Sequence, residues 1–317
     1  MTGTVGIALA AGLLSALMFL SLSEGLAIGL LLTYLAPLPL LMAGLARGAA
    51  MAVLAGAAAC LAIALVSGGL AALPFGLAVV APVAVIVRQA LLWRTDGSGA
   101  VEWYPPGLLL GWLTAMAVTL IGLGAALISG QAGLGSGGLE RWIAASVGHG
   151  LDLLAPTLDA PQRQAVADGW VPLFLALVGG SWLVMILVNT ILAQGLLARW
   201  GHNRRPTPAY ARELDLPTWL GGLLVAAAAA GALAEGDFAY LGRNVAVVVL
   251  VPFALSGLAA VHLWAASRPN ARMILVAVYG VVFLASAWVL LPIAGLGLVR
   301  FVTRFRPAGD SGGGKEK

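Results

Sequence analysis

From Val5 to Val302 this chain is a near-continuous series of apolar stretches, each long enough to cross a bilayer, with little polar sequence between them. Crossing about 30 Å of hydrocarbon takes about 20 apolar residues in a helix. Nine such stretches use most of the 317 residues and leave no room for a large soluble domain. Charged residues make up only 9% of the chain, where a soluble domain carries about 25%, so a soluble fold is excluded. The chain reads as all-α: a polytopic transmembrane helical bundle of about nine spans, one membrane domain over residues 1–306.

The spans fall at Val5–Leu22, Leu26–Leu45, Ala49–Val66, Leu70–Trp93, Gly107–Ser129, Val171–Leu197, Trp219–Leu233, Val245–Ala266 and Met273–Leu291. Arg47, Arg88, Arg94, Arg199, Arg204, Arg205, Arg212, Arg268 and Arg272 follow even-numbered spans, and only Arg141, Arg163 and Arg243 follow odd ones. The positive-inside bias then puts the even loops and the N-terminus in the cytoplasm of a bacterial inner membrane. Nine spans would leave Arg300, Arg304, Arg306, Lys315 and Lys317 outside. A short returning segment, from about Pro292 to Val302, resolves the conflict, because proline marks a kink or turn. One long tilted helix is the alternative. The tail 307–317, with its run of glycines, reads as disordered and cytoplasmic.

The one sizeable loop, Gly130–Asp168, lies on the outer side. Leu139, Trp142, Ile143, Val147, Leu151 and Leu154 recur there at helical spacing, which predicts an amphipathic helix over about 137–156. A connector resting on lipid or on the bundle is the plainer reading, and a lid over an outward site the functional one. The Gly133–Gly138 run formally matches G-x-G-x-x-G, but it lies between membrane segments rather than in a βαβ unit, so it reads as a loop. Cys60 is the only cysteine and is read as a small apolar residue. The net charge of +4 comes from residues at span ends, so it implies no nucleic-acid partner. The lipid bilayer is the partner that composition demands.

No catalytic constellation, metal-ligand cluster or cofactor motif is legible, and the spans hold almost no acids or histidines. The expectation is a protein that is not an enzyme and carries no metal or cofactor. Among the polar residues within spans, those worth naming are Asn189, Thr190, Gln194 and His262, read as interhelical hydrogen-bonding groups. Arg243 is read as pairing with Asp237 or Glu235. Proline is dense in the second, fourth and eighth spans, and each proline frees a backbone carbonyl that must face protein or a cavity. The candidate ligand site therefore comprises Pro37, Pro39, Pro82 and Pro252, with Glu24, Arg243 and Asn244 at an outward mouth. The small-residue face Ala8, Gly12 and Ala16 offers a docking face for a partner helix in the membrane.

Two stretches carry a family resemblance. One is Tyr34-Leu-Ala-Pro37-Leu-Pro39-Leu40 followed by Gly44-Leu45. The other is Arg88-Gln-Ala-Leu-Leu-Trp93-Arg94 followed by Glu102, Trp103, Tyr104, Pro105, Pro106 and Gly107. With Asn244 and Gly257-Leu-Ala-Ala-Val-His262, they resemble the YybS-like family of predicted bacterial membrane proteins in its alphaproteobacterial form. Gly297-Leu-Val-Arg300 departs from the acidic turn of that family. The family implies no established activity. It implies a distant likeness to the substrate-binding subunits of energy-coupling-factor vitamin transporters, whose partner-facing helix would correspond to the Ala8/Gly12/Ala16 face.

The reading that follows is an integral membrane protein that binds or transports a small solute, with a structural or assembly role as the alternative. The threading has a direct test. A cysteine placed at His149 should be modified by an impermeant reagent in intact cells, and one placed at Arg204 should be spared. The reverse pattern overturns the orientation.

Overall fold

The computed structural model describes residues 2–21, 26–132, 138–285 and 287–304. Glu24, the loop 133–137 and the tail 307–317 lie outside the described residues. The chain is a polytopic helical membrane protein. Among the described residues, seven helical runs are long and apolar enough to cross a bilayer, and three shorter apolar helices join them.

Helix α1 (Thr2–Leu20) is followed by α2 (Leu26–Leu35), α3 (Pro37–Arg47) and α4 (Ala49–Ser67). The second span is thus two helices broken at Ala36, because Pro37 and Pro39 cannot donate to the preceding turn. The fourth span is broken as well. A short α5 (Ala72–Phe75) passes through a π-helical turn, Gly76–Val80, into α6 (Ala81–Ala90).

A hairpin of β1 (Trp93–Thr95) and β2 (Val101–Trp103) pairs Arg94 opposite Glu102, an exposed ion pair at 2.7 Å. It leads into α7 (Pro106–Ala132). The long loop contains two helices, α8 (Gly138–Leu154) and α9 (Ala160–Trp170), where one was expected. Helix α9 begins with a reciprocal capping box between Asp159 and Gln162. The remaining helices are α10 (Phe174–Arg199), a short α11 (Tyr210–Glu213), α12 (Trp219–Leu233), α13 (Gly236–Ala266), α14 (Ala271–Ala285) and α15 (Ala287–Thr303). Pro292 lies inside α15, so no helix begins or ends at that proline.

Helix α10 joins two cores. Its Ala193 and Leu197 pack with α1, α3, α4 and α6, while Ala176, Leu183 and Ile186 pack with α7, α12, α13 and α15. A third, smaller core seats α8 on the bundle through Leu139, Ile143 and Val147, against Ala125 and Tyr240. Leu139, Ile143 and Val147 of the amphipathic helix thus face protein, while Trp142 and Leu154 are exposed.

Lipid tails are as apolar as leucine, so helix association in a membrane depends on close packing. This chain achieves that packing with small residues. Ala8 and Ala16 are buried, and Gly12 lies against the Ala55 carbonyl and the Ala58 side chain of α4. The Ala8/Gly12/Ala16 face is therefore filled by the chain's own α4 and is not free for a separate partner helix. At the other side of the molecule Gly257 of α13 meets the Ile293 carbonyl of α15, and Gly297 meets the Phe253 carbonyl. A methyl group at either glycine would run into backbone, which cannot give way. Gly257→Ala should cost about 1–3 kcal/mol, the usual scale of overpacking, read as a lower unfolding temperature in detergent. Gly222→Ala on α12, where nothing lies within 4 Å, should leave it unchanged.

Candidate functional site

The sequence predicts freed carbonyls at the prolines; the structure reaches one of these, at Ala78, with a side chain, and two other carbonyls beside the break in the second span. Ser15 Oγ donates to the Ala36 carbonyl at 2.6 Å, where the second span breaks. Asn189 Nδ2 donates to the Tyr34 carbonyl at 2.7 Å. Trp182 Nε1 donates at 2.7 Å to the Ala78 carbonyl, the one four residues before Pro82. Pro37, Pro39, Pro82 and Pro252 are all buried. None of them lines the two cavities described below. The breaks are closed by protein.

Asn244 is also internal rather than at a mouth. It is fully buried, and its Oδ1 accepts the Ala176 N–H at 2.8 Å while Nδ2 donates to the Pro172 and Tyr240 carbonyls. It thereby caps the first turn of α10, whose leading N–H groups have no partners within the helix. Tyr240 adds a hydrogen bond to the Val171 carbonyl at 2.6 Å. Asp237 does not pair with Arg243. Its carboxylate accepts the Leu139 N–H at the start of α8, where an anion suits the helix dipole. Arg243 is exposed, with its backbone against Gly231 of α12.

A cavity of about 260 Å³ lies elsewhere, among the ends of α6, α10 and α13, the start of α7, and α14. Its walls are mostly leucine and isoleucine from α7, α10 and α13. Its polar groups are Thr190, Gln194, Arg205, Tyr210, His262 and Tyr279. Three of these, Thr190, Gln194 and His262, were visible as isolated polar residues, and the fold brings them to one space. Arg205 also borders a wider polar groove, of about 900 Å³, with Glu102, Trp103, Asp215 and Arg304.

The floor of the cavity is the segment that follows α10, residues 200–218, which turns back under the bundle. Gln194 Nε2 donates to the Arg205 carbonyl at 2.9 Å and fixes the start of this strap. Arg205 itself is only 5% exposed. Its Nη1 donates to the Ala90 carbonyl at the end of α6, and its guanidinium lies 5.9 Å from the centre of the Trp103 ring. Its Nε–H is buried without a hydrogen-bond partner. Among the described residues no carboxylate lies within 4 Å of it.

Burial pushes the Arg205 pKa down, and neighbouring Tyr210 and Glu213 oppose that shift. A guanidinium nonetheless keeps its proton in proteins. Burial pushes the Tyr210 hydroxyl up, against a smaller opposing pull from Arg205. The cavity thus presents a cation with no carboxylate within 4 Å among the described residues, and a neutral phenol, beside an apolar wall.

The run Glu102-Trp103-Tyr104-Pro105-Pro106-Gly107 gains a physical role from the strap. Trp103 lies beneath Arg205, Pro106 lines the cavity, and Gly107 touches the Asp215 backbone. One turn on, Gly111 meets Pro217. Tyr104 accepts a hydrogen bond from Trp112 Nε1. Arg300 of α15 donates to the Ala211 carbonyl and sits 3.8 Å from Asp215, holding the strap from the far side. The sequence reading missed Arg205, Tyr210 and Tyr279. Arg205 was counted only as a topology marker, and the signal available was its place in Arg204-Arg205-Pro206-Thr207-Pro208, a proline-stiffened run.

Gly107→Ala should displace the strap, since the new methyl meets the Asp215 carbonyl. A cysteine at Tyr210, half-buried in the native chain, should then react faster with a thiol reagent. Asn244→Leu should cost about 1–3 kcal/mol by leaving buried α10 backbone groups unpaired, without changing that reactivity.

No family model, curated protein or solved structure matches this chain.

Proposed function

We propose that this chain is a bacterial inner-membrane protein that binds a small solute in the cavity bordered by Arg205. The observation that carries the reading is the cavity's make-up: a mostly apolar lining with a few convergent polar groups at one side, the usual form of a small-molecule site. The arginine distribution supports a cytoplasmic placement of the N-terminus and of the strap. The site then faces inward, and not outward beneath α8. The resemblance to the YybS-like family, with its likeness to solute-binding transporter subunits, agrees with a binding role rather than a catalytic one.

A structural or assembly role without a small ligand is the second reading. It is favoured by the proline breaks, which Ser15, Trp182 and Asn189 close. Native mass spectrometry of protein extracted from its own membrane separates the two. Solute binding predicts a defined small-molecule adduct that is lost in Leu258→Trp, a half-buried cavity-wall position on α13. A folded wild-type protein that carries no adduct, and takes none from a metabolite extract, favours the structural role.

A further inference from the structure

We propose that the cavity takes an anionic amphiphile, with a carboxylate or phosphate head against Arg205 and an apolar body among the leucines of α7, α10 and α13. This inference rests on the solute-binding reading and names the class of ligand. Among the described residues, Arg205 is the only charged one lining the cavity. It is 95% buried, keeps an unpartnered Nε–H, and has no counter-ion within 4 Å among the described residues. Its neighbours are the neutral Ala90 carbonyl and Trp103 ring, with Glu213 attracting it only from beyond 4 Å; a buried cation so weakly compensated is unfavourable, and an incoming oxyanion would relieve it. The guanidinium fork matches two oxygens of a carboxylate or phosphate. Tyr210 borders the same space, and a phenol there can donate to the same head.

The rest of the lining suits the other half of such a molecule. Leu109, Leu113, Leu187, Ile191, Leu255 and Leu258 offer no polar side chain. At about 30 Å³ per water-sized group, the cavity's 260 Å³ holds about nine. That is the size of a short-chain amphiphile or of the head and upper chain of a lipid. A purely polar metabolite would leave the leucine wall unsatisfied, and a neutral hydrocarbon would leave Arg205 so.

The test compares octanoate, octyl phosphate and 1-octanol at matched concentrations on the intact protein in neutral detergent, read by native mass spectrometry and calorimetry. Both anions should bind at least tenfold more tightly than the alcohol. Arg205→Gln should bring the anions down to the level of the alcohol. The wild-type comparison decides the matter even where that variant fails to fold, since Arg205 also holds the Ala90 carbonyl. Equal binding of alcohol and anions overturns the charge assignment while sparing the cavity. Absence of binding by all three, or binding unaltered in Leu258→Trp, overturns the cavity reading itself. An endogenous anionic phospholipid displaced by octanoate identifies the bilayer as the source of the ligand. Octanoate binding to protein that carries no lipid identifies a water-soluble amphiphile.

Discussion

Inside hydrocarbon, a backbone N–H or C=O without a partner has no water to turn to, and that single constraint organises this molecule. Unbroken helices satisfy it by themselves. The chain departs from unbroken helix at Ala36, in the π-helical turn Gly76–Val80, and at the start of α10. At each departure a polar side chain from another helix reaches across. Ser15 and Asn189 serve the first break, Trp182 the second, and Asn244 the third. These few groups account for much of the buried polarity of the bundle. They also pin one helix against another at points where leucine packing alone would leave register undefined.

The same constraint explains the glycines and alanines. Helices whose backbones touch lose no hydrogen bond and gain dispersion contacts that lipid would otherwise supply. The pairs α1–α4, α12–α13 and α13–α15 all approach this closely, through Gly12, Gly231 with Gly242, and Gly257 with Gly297. Large apolar side chains are correspondingly turned outward. Leu17, Leu65, Leu127, Phe238 and Phe283 are all exposed on the isolated chain, as a surface dissolved in acyl chains should be.

The membrane spans were legible because about 20 apolar residues have one economical reading. The proline breaks were legible for a similar local reason. Their satisfaction was not, because the donors lie 21, 104 and 155 residues away in sequence. Helix α9 was missed because its polar composition resembles loop, although its Asp159 and Gln162 capping pair was there to be read. Asn244 was visible as a polar residue near a span end, and only the fold reveals that its three hydrogen bonds are spent on α10, on the turn just before it and on its own helix. Arg205 is the sharpest case. Its charge was read correctly as a marker of sidedness, but its burial depends on a strap folding back between α7 and α15, which no local pattern encodes.

That strap has a consequence for how the protein is made. It is held by Gln194 and Gly107, which precede most of it in the chain, and by Arg300, which follows it by more than eighty residues. Chains emerge from the ribosome N-terminus first. The floor beneath the cavity therefore receives the Arg300 tether only when α15 has been synthesised and seated beside α13. Until that moment a nascent chain can have all its earlier spans in the bilayer and still lack a fully tethered strap. The arrival of α15 is thus the step that tethers the strap from its far side.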